Sequence, residues 1–309
     1  MTRLAQHVED YLRLRRSLGY KLEDHARLLR RFAAHLDDLG VDFVTVEFAL
    51  SWALEPKVPS GSTVPATRLL VVRGFARYMS GIDPRTETPP AGLIPLRRHR
   101  RPPFIYTDAE ILALMAQART GIRQALCAAT YETLIGLLAA TGMRISEAIN
   151  LDRTDVDWTE GVLLVRESKF NKSRYVPLHP TTLPALKDYA RQRDELCPKP
   201  RDTNFFVSLR RTRLYPCAVQ ATFRRLCQNA GVGQDARFPP RLHDLRHTLA
   251  VKTLLGWYRD GVDVQPRLPA LATYLGHRDP SYTYYYLWAA PELLAHAAGL
   301  LDGAREAAS

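Results

Sequence analysis

The sequence predicts a mainly α-helical protein with a small β-sheet, in which an N-terminal helical bundle precedes a larger C-terminal α+β domain. Apolar residues recur at helical spacing at the start of the chain and again after residue 107, whereas only two short runs have the composition of strands. A segment rich in proline and arginine separates the two helical parts. The length of 309 residues also favours two domains over one core.

Amphipathic segments predict the N-terminal bundle over residues 1–90. Gly19 and Gly40 punctuate the first helices, Thr45 is the predicted start of a third, and a fourth follows the turn-rich sequence PSGSTVP. The residues at helical spacing are Leu4, Val8, Tyr11 and Leu12 in the first helix, Ala26, Leu29, Phe32 and Leu36 in the second, and Leu69, Val72, Phe75 and Met79 in the fourth.

The sequence DPRTETPPAGLIPLRRHRRPP contains too many prolines for regular structure, and we place an interdomain linker at residues 91–106. Thr107 and Glu110 have the spacing of a capping box, which predicts that the second domain spans residues 107–309. The arginines of the linker are expected either to be merely solvated or, beside DNA, to lie along the phosphates. They are Arg97, Arg98, Arg100 and Arg101.

The second domain is predicted to contain one hairpin among helices. A helix is expected over residues 124–140, followed by a turn at Gly142 and a further short helix. The runs VLLVRES and RYVPL predict two strands that bracket the polar sequence SKFNKS, so that Lys169 and Lys172 lie at the hairpin tip. Such a tip is ordinarily only a solvent-exposed turn. Helices resume near residue 182.

Charge and composition restrict the function classes. Lysine and arginine outnumber aspartate and glutamate 43 to 32, which gives a net charge of +11 and a pI of about 9.7. This excess favours a nucleic-acid partner, although it also aids solubility. The four cysteines form no C-x-x-C pair, so we expect reduced thiols and no zinc site. Without a long apolar run or a secretory signal, we expect a cytoplasmic, nucleoid-associated protein with no membrane contact.

Two motifs place arginines where they could bind a phosphate. In LHDLRHTLA, His243 and Arg246 share one helical face, although an H-x-x-R pair is usually incidental when it occurs alone. In ATGMRISEAINL, Arg144 follows a glycine turn within an apolar stretch, so it needs a partner in the domain interior. Glu147 is either that structural partner or a brace that leaves the guanidinium free for phosphate oxygens, and the two roles are compatible.

A third motif, LGHRDPSYTYYYL, places His277 before a run of four tyrosines. Most such aromatic side chains serve packing. In their order and spacing, these motifs together with SKFNKSRYVPL resemble the phage integrase family, including Xer-type and mobile-element tyrosine recombinases. The resemblance covers residues 107–290, and the N-terminal bundle resembles the DNA core-binding, SAM-like domain of that family.

The resemblance implies a role for each motif residue. Arg144 and Arg246 correspond to the two phosphate-binding arginines, and His243 and His277 to two further active-site positions. Tyr286 corresponds to the nucleophile because it lies nine residues after His277, a spacing that rejects Tyr284 and Tyr285. Lys169 corresponds to the hairpin lysine that acts as general acid, and Lys172 to a lysine that contacts the DNA backbone.

The implied reaction is site-specific recombination. Tyr286 attacks a phosphodiester to give a 3′-phosphotyrosyl link and a free 5′-hydroxyl, without metal, ATP or another cofactor. His243 accepts the tyrosine proton and His277 orients the phosphate. The implied partners are double-stranded DNA at a specific site and a homo-tetramer that assembles on DNA from weakly associated or monomeric chains, with accessory recombinases or DNA-bending proteins possible.

Two further sequence features bear on the biological setting. The segment between LRHTLA and LGH is longer than in the simple Xer-like pattern, which favours an integrase or transposase of a mobile element. The C-terminal tail has Leu293, Leu294, Ala297 and Leu301 at helical spacing, so it could either end the core or dock on a neighbouring protomer. The resemblance favours docking on a neighbour. The alternatives are a type IB topoisomerase, which would rejoin the same DNA ends, and a non-catalytic DNA-binding regulator.

Overall fold

The computed structural model describes residues 2–55, 62–95, 101–166, 173–277, 279 and 281–289, and the side chains of the last helix up to Tyr286. The chain divides into two compact units, Met1–Arg100 and Arg101–Ser309. Across the described ranges, no helix is both long and apolar enough to cross a membrane. Several predicted residues lie outside these ranges, namely Arg97, Arg98, Arg100, Lys169, Lys172 and the C-terminal tail.

The N-terminal unit contains the predicted helices. Thr45 caps α3 through its side chain, and the apolar positions predicted for the first, second and fourth helices form one core, in which only Tyr11 is partly exposed. The segment after the last helix is irregular but fixed to this unit, because the Glu87 N–H donates to the Val44 carbonyl over 2.8 Å. The helices are α1 Arg3–Ser17, α2 Glu23–Asp38, α3 Val46–Leu54 and α4 Val64–Met79.

The C-terminal unit combines helices with a small antiparallel sheet, whose strand order is β1-β2-β3. The predicted hairpin is formed by β2 and β3, whereas the two-residue β1 is too short for a sequence pattern. The predicted capping box at Thr107 is present, with the Thr107 N–H donating to Glu110 over 2.7 Å. The elements are α5 Asp108–Gly121, α6 Ala125–Thr141, α7 Ile145–Ile149, β1 Val156–Asp157, β2 Val162–Val165, β3 Arg174–Pro177, α8 Thr182–Leu196, α9 Pro216–Asn229, α10 Leu242–Arg259, α11 Leu268–Leu275 and α12 Ser281–Ala289.

In this unit, α6 and α11 are each followed directly by a glycine in the left-handed conformation. Gly142 follows α6 with φ of +60°, and Gly276 follows α11 with φ of +68°. A Cβ at Gly142 would lie 2.7 Å from Leu249, and one at Gly276 would lie 2.9 Å from the guanidinium of Arg174. Only glycine therefore fits these turns without strain. The turns leave helix carbonyls exposed to neighbouring donors.

A second apolar cluster supports the last described helix. It joins α10, α11 and α12 and includes Leu254, Leu268 and Tyr286. The segment that is longer than the Xer-like pattern folds as the end of α10, a short 3₁₀ turn at Gln265–Arg267 and α11. Since these elements pack around Tyr286, the added length contributes to the platform for the predicted nucleophile.

Candidate active site

Arg246 is buried and held by backbone carbonyls. Its residue surface is only 2% exposed, its Nη1 donates to the Gly142 carbonyl over 2.8 Å, and its Nη2 donates to the Leu275 carbonyl. Both carbonyls lie at helix C-termini, where the helix dipole favours a cation. Burial lowers the pKa of Arg246 to about 10, so the guanidinium remains charged at neutral pH.

Arg144 is held in a different way, by a carboxylate and one carbonyl. It precedes α7, and its Nη1 donates to Glu147 Oε1 over 2.7 Å while its backbone N–H donates to Glu147 Oε2 over 2.9 Å. Its Nη2 donates to the Gly276 carbonyl over 2.7 Å. The ion pair predicted between Arg144 and Glu147 is therefore present. Each arginine uses the carbonyl of one left-handed glycine.

Glu147 lies between two arginines, of which the sequence analysis identified only one. Arg174 donates from Nη1 to Glu147 Oε1 over 3.0 Å and from Nη2 to Oε2 over 2.8 Å. Burial alone would raise the pKa of Glu147, but Arg174 and then Arg144 outweigh it and lower the pKa to about 2. The carboxylate is therefore ionised throughout the physiological range. The only sequence signal for Arg174 was its place in the predicted strand RYVPL.

Two histidines contact Tyr286, and a third lies against one of them. The ring of His277 stacks on Tyr286 with centroids 6.0 Å apart, and its Nδ1 hydrogen-bonds the buried Thr283 hydroxyl over 2.8 Å. His247 meets His243 edge to face at 4.9 Å and Tyr286 at 5.3 Å. His247 was not among the predicted site residues, because a residue one helical turn after His243 looks like an ordinary core position.

All three histidines are kept neutral. Much of His243 is exposed, yet desolvation of its ring, followed by the charge of Arg246, lowers its pKa to about 4. The same two causes lower the pKa of His277 to about 4. Desolvation and then His243 lower the pKa of His247 to about 3. A neutral imidazole has a free nitrogen lone pair, so each ring can accept a hydrogen bond at neutral pH, while its lowered pKa makes it a weaker base than a free histidine.

Tyr286 differs from the other tyrosines of α12. Its residue surface is 2% exposed, against 41% for Tyr284 and 54% for Tyr282, and Tyr285 is half-buried. Burial raises the pKa of Tyr286, whereas the charge of Arg246 and a hydrogen bond from Arg246 lower it. The structure therefore brings Tyr286 together with Arg246, His277 and His247, and leaves Tyr282 and Tyr284 on the surface.

Of the other residues predicted for the site or for DNA binding, the structure describes Arg101 but not the two hairpin lysines. Arg101 donates from Nη2 to the Pro239 carbonyl over 3.1 Å and lies above the Phe238 ring, so it is bound to the C-terminal unit. Lys169 and Lys172 lie outside the described residues, and their roles stay predictions. Within the part of the chain that the structure describes, no group of three or more histidines, cysteines or acids could hold a metal ion.

Comparison with known proteins identifies the family. Residues 105–292 match the model of the phage integrase family. The chain is 40% identical over 308 residues to the putative integrase/recombinase y4rB of Sinorhizobium fredii, covering 98% of each chain. It is 30% identical over 286 residues to the tyrosine recombinase XerD of Caulobacter vibrioides, covering 90% of this chain and 86% of XerD.

A solved structure shares the fold over nearly the whole length. The Tn1549 transposon integrase, in complex with transposon right end DNA, superposes with a TM-score of 0.65 at 18% identity and covers 98% of this chain and 99% of its own. The predicted fold class is confirmed. The chain belongs to the phage integrase family and is a site-specific tyrosine recombinase, an enzyme that cleaves and rejoins DNA strands.

Proposed function

We propose that Tyr286 is the nucleophile of this recombinase and that Arg246 and Arg144 bind the phosphate it attacks. The observation that carries the proposal is the placement of buried Tyr286 against the rings of His277 and His247, 6.0 and 5.3 Å away, and beside Arg246, whose charge lowers the pKa of the phenol. A guanidinium has five N–H donors, more than Arg246 uses on the two carbonyls. The remaining donors would stabilise the charge of the pentavalent phosphate, which is usually the largest catalytic contribution.

In the proposed reaction, a bond forms between Tyr286 Oη and phosphorus, and the bond between phosphorus and the 5′-oxygen breaks. The phenol proton passes to His243, which is neutral at pH 7. His277 orients the phosphate, and Lys169 protonates the departing 5′-oxygen. The resulting 3′-phosphotyrosyl ester keeps the energy of the broken bond, so a 5′-hydroxyl can later displace the tyrosine without ATP.

The proposed partner is double-stranded DNA at a specific site. The net charge of +11 supports this proposal, because basic proteins gain affinity for DNA by releasing counterions from phosphates. Arg97, Arg98, Arg100, Arg101 and Lys172 are proposed to contact the backbone. We further propose a core-binding role for the N-terminal unit, a homo-tetramer in the synaptic complex with the C-terminal tail docked on a neighbour, and a nucleoid-associated location.

We place the enzyme among the integrases of mobile elements. The similarity to y4rB and to the fold of a transposon integrase supports this setting. A topoisomerase would rejoin the ends it cut, whereas a recombinase exchanges them. Incubation with two differently labelled duplexes distinguishes the two activities, because only recombination yields a product that carries both labels.

A covalent adduct tests the nucleophile. Nicked duplexes tiled across the DNA that flanks the gene should trap the wild-type protein as an adduct on denaturing gels, with or without EDTA. Tyr286→Phe removes the attacking oxygen and should abolish the adduct. Tyr284→Phe, with its exposed neighbouring ring, is the matched control and should form it. Adduct formation by Tyr286→Phe, or its loss only in Tyr284→Phe, would contradict the assignment.

A further inference from the structure

Arg174 connects two parts of the active site that are distant in sequence. It is the first residue of β3, and its side chain is 13% exposed. Its Nη1 and Nη2 bind both oxygens of Glu147, and its Nε donates to the Tyr274 carbonyl over 3.1 Å. Glu147 belongs to α7 and Tyr274 to α11. One guanidinium therefore fixes a strand to two helices.

Both partners of Arg174 act on Arg144. Glu147 accepts two hydrogen bonds from Arg144, one from the side chain and one from the backbone. Tyr274 lies two residues before Gly276, whose carbonyl accepts the second side-chain bond of Arg144. The contacts thus form a closed loop through Arg174, Glu147, Arg144 and the turn at Gly276. His277 is the next residue along that turn.

Charge explains why a second arginine is needed. A carboxylate paired with Arg144 alone would neutralise that guanidinium and weaken its attraction to a phosphate. With Arg174 on the other side, the two arginines and one carboxylate retain a net positive charge. Since Glu147 is only 7% exposed, solvent does little to screen this balance.

We infer that Arg174 is a positioning residue for DNA cleavage, which fixes Glu147 and the Gly276 turn and keeps Arg144 available to the phosphate. The inference rests on the proposed function, in which Arg144 binds the phosphate. Arg174 does not act on the DNA itself. Its loss should therefore slow the chemical step without changing the protein concentration that half-saturates the DNA.

Single-turnover cleavage separates this role from a merely structural one. The rate constant of adduct formation measures how fast the active site of a folded molecule cleaves DNA. The amplitude measures the fraction of molecules that are folded. Arg174→Met should lower the rate constant about a hundredfold, the effect of roughly one charge-assisted hydrogen bond in the transition state. Arg174→Lys keeps the charge but not the fork and should lose about tenfold.

A second substitution tests the charge balance. Arg174→Met with Glu147→Gln removes the uncompensated carboxylate and should cleave at least about tenfold faster than Arg174→Met alone, since Arg144 is released. Arg193→Met is the matched control, because Arg193 is also buried and binds an acid and a carbonyl, Asp194 and Asn204. It should lower the amplitude or the Tm and leave the rate constant unchanged.

The outcomes are distinct. A wild-type rate constant in Arg174→Met, with only the amplitude or Tm reduced as in Arg193→Met, overturns the inference. So does a double variant no faster than Arg174→Met. In both cases the wild-type protein still forms its Tyr286-dependent adduct and the proposed function stands. Absence of that adduct in the wild-type protein overturns both the proposed function and the inference.

Discussion

The two arginines proposed to bind the phosphate are held in opposite ways. Arg246 is almost fully buried and donates to the carbonyls of Gly142 and Leu275, and among the described residues no carboxylate is paired with it. The Arg144 side chain is 24% exposed and shares Glu147 with Arg174. Backbone acceptors leave the charge of Arg246 intact, whereas a carboxylate needs a second cation to offset it. Phosphate binding by Arg246 thus depends on the geometry of its hydrogen bonds. Phosphate binding by Arg144 depends on the balance of charge around Glu147.

The largest expected effect compares lysine substitutions at the two arginines. A lysine ammonium is a point donor that cannot span the two carbonyls and Tyr286 at once, so Arg246→Lys should lower the single-turnover rate constant by about a thousandfold or more. Arg144→Lys should lose about tenfold to a hundredfold, because the charge network tolerates a cation of another shape. Arg193→Lys is the control, because it places a lysine amine at a buried arginine position outside the site. A larger loss in Arg144→Lys would reverse the comparison.

The second prediction concerns the stability of the charged region. Glu147→Gln removes the carboxylate between two arginines and should lower the free energy of unfolding at pH 7 by about 3 kcal/mol in urea titrations. Because the pKa of Glu147 is lowered from 4.5 to about 2, its contribution is complete above about pH 4.5 and is lost as the pH falls through about 2. The difference between wild type and variant should therefore shrink only in that acidic window.

Asp155→Asn is the matched control for this prediction. Asp155 is another buried carboxylate, paired with Arg166 outside the site. Its loss should reduce stability but not the rate constant of adduct formation, whereas Glu147→Gln should change both. Equal rate constants in the two variants would mean that the network around Arg144 serves stability alone.

The comparison also shows which parts of the structure the sequence could predict. Periodic apolar residues and local capping signals were sufficient for the predicted helices and the hairpin, because those patterns depend on neighbours within a few residues. The strand β1 was missed, since two residues carry no periodicity. The motifs predicted that Arg144, Arg246, His277 and Tyr286 lie in one site, because their order and spacing resemble those of the phage integrase family.

The residues that were missed depend on contacts between distant segments. Arg174 begins a strand directly after the polar sequence SKFNKS, and nothing in its neighbourhood in the sequence distinguishes it from an exposed arginine. Its partner Glu147 lies 27 positions away. His247 looks like part of a helix core, and its contact with Tyr286 depends on how α12 packs against α10. Burial and pairing of charges across elements arise from packing, which a pattern in one segment does not encode.

The smallest expected effect concerns the three neutral histidines near Arg246 and the dependence of stability on pH. The pKa values of His243 and His277 are lowered to about 4 and that of His247 to about 3, so the unfolded chain binds more protons below the ordinary value of 6.5. Stability should therefore be complete above about pH 6.5 and fall as the pH drops toward 4. Thermal unfolding across pH 4 to 8 measures this fall.

His247→Phe keeps an aromatic ring against Tyr286 but cannot take up a proton. It should remove part of the acid-induced fall, on the order of 1 kcal/mol for a partly exposed group, and leave stability at pH 7 nearly unchanged. His179→Phe, at an exposed histidine beside Thr181, is the control and should keep the wild-type pH profile. If His247→Phe loses stability equally at every pH, His247 contributes packing alone. In that case the region around Arg246 gains nothing from excluding a further positive charge.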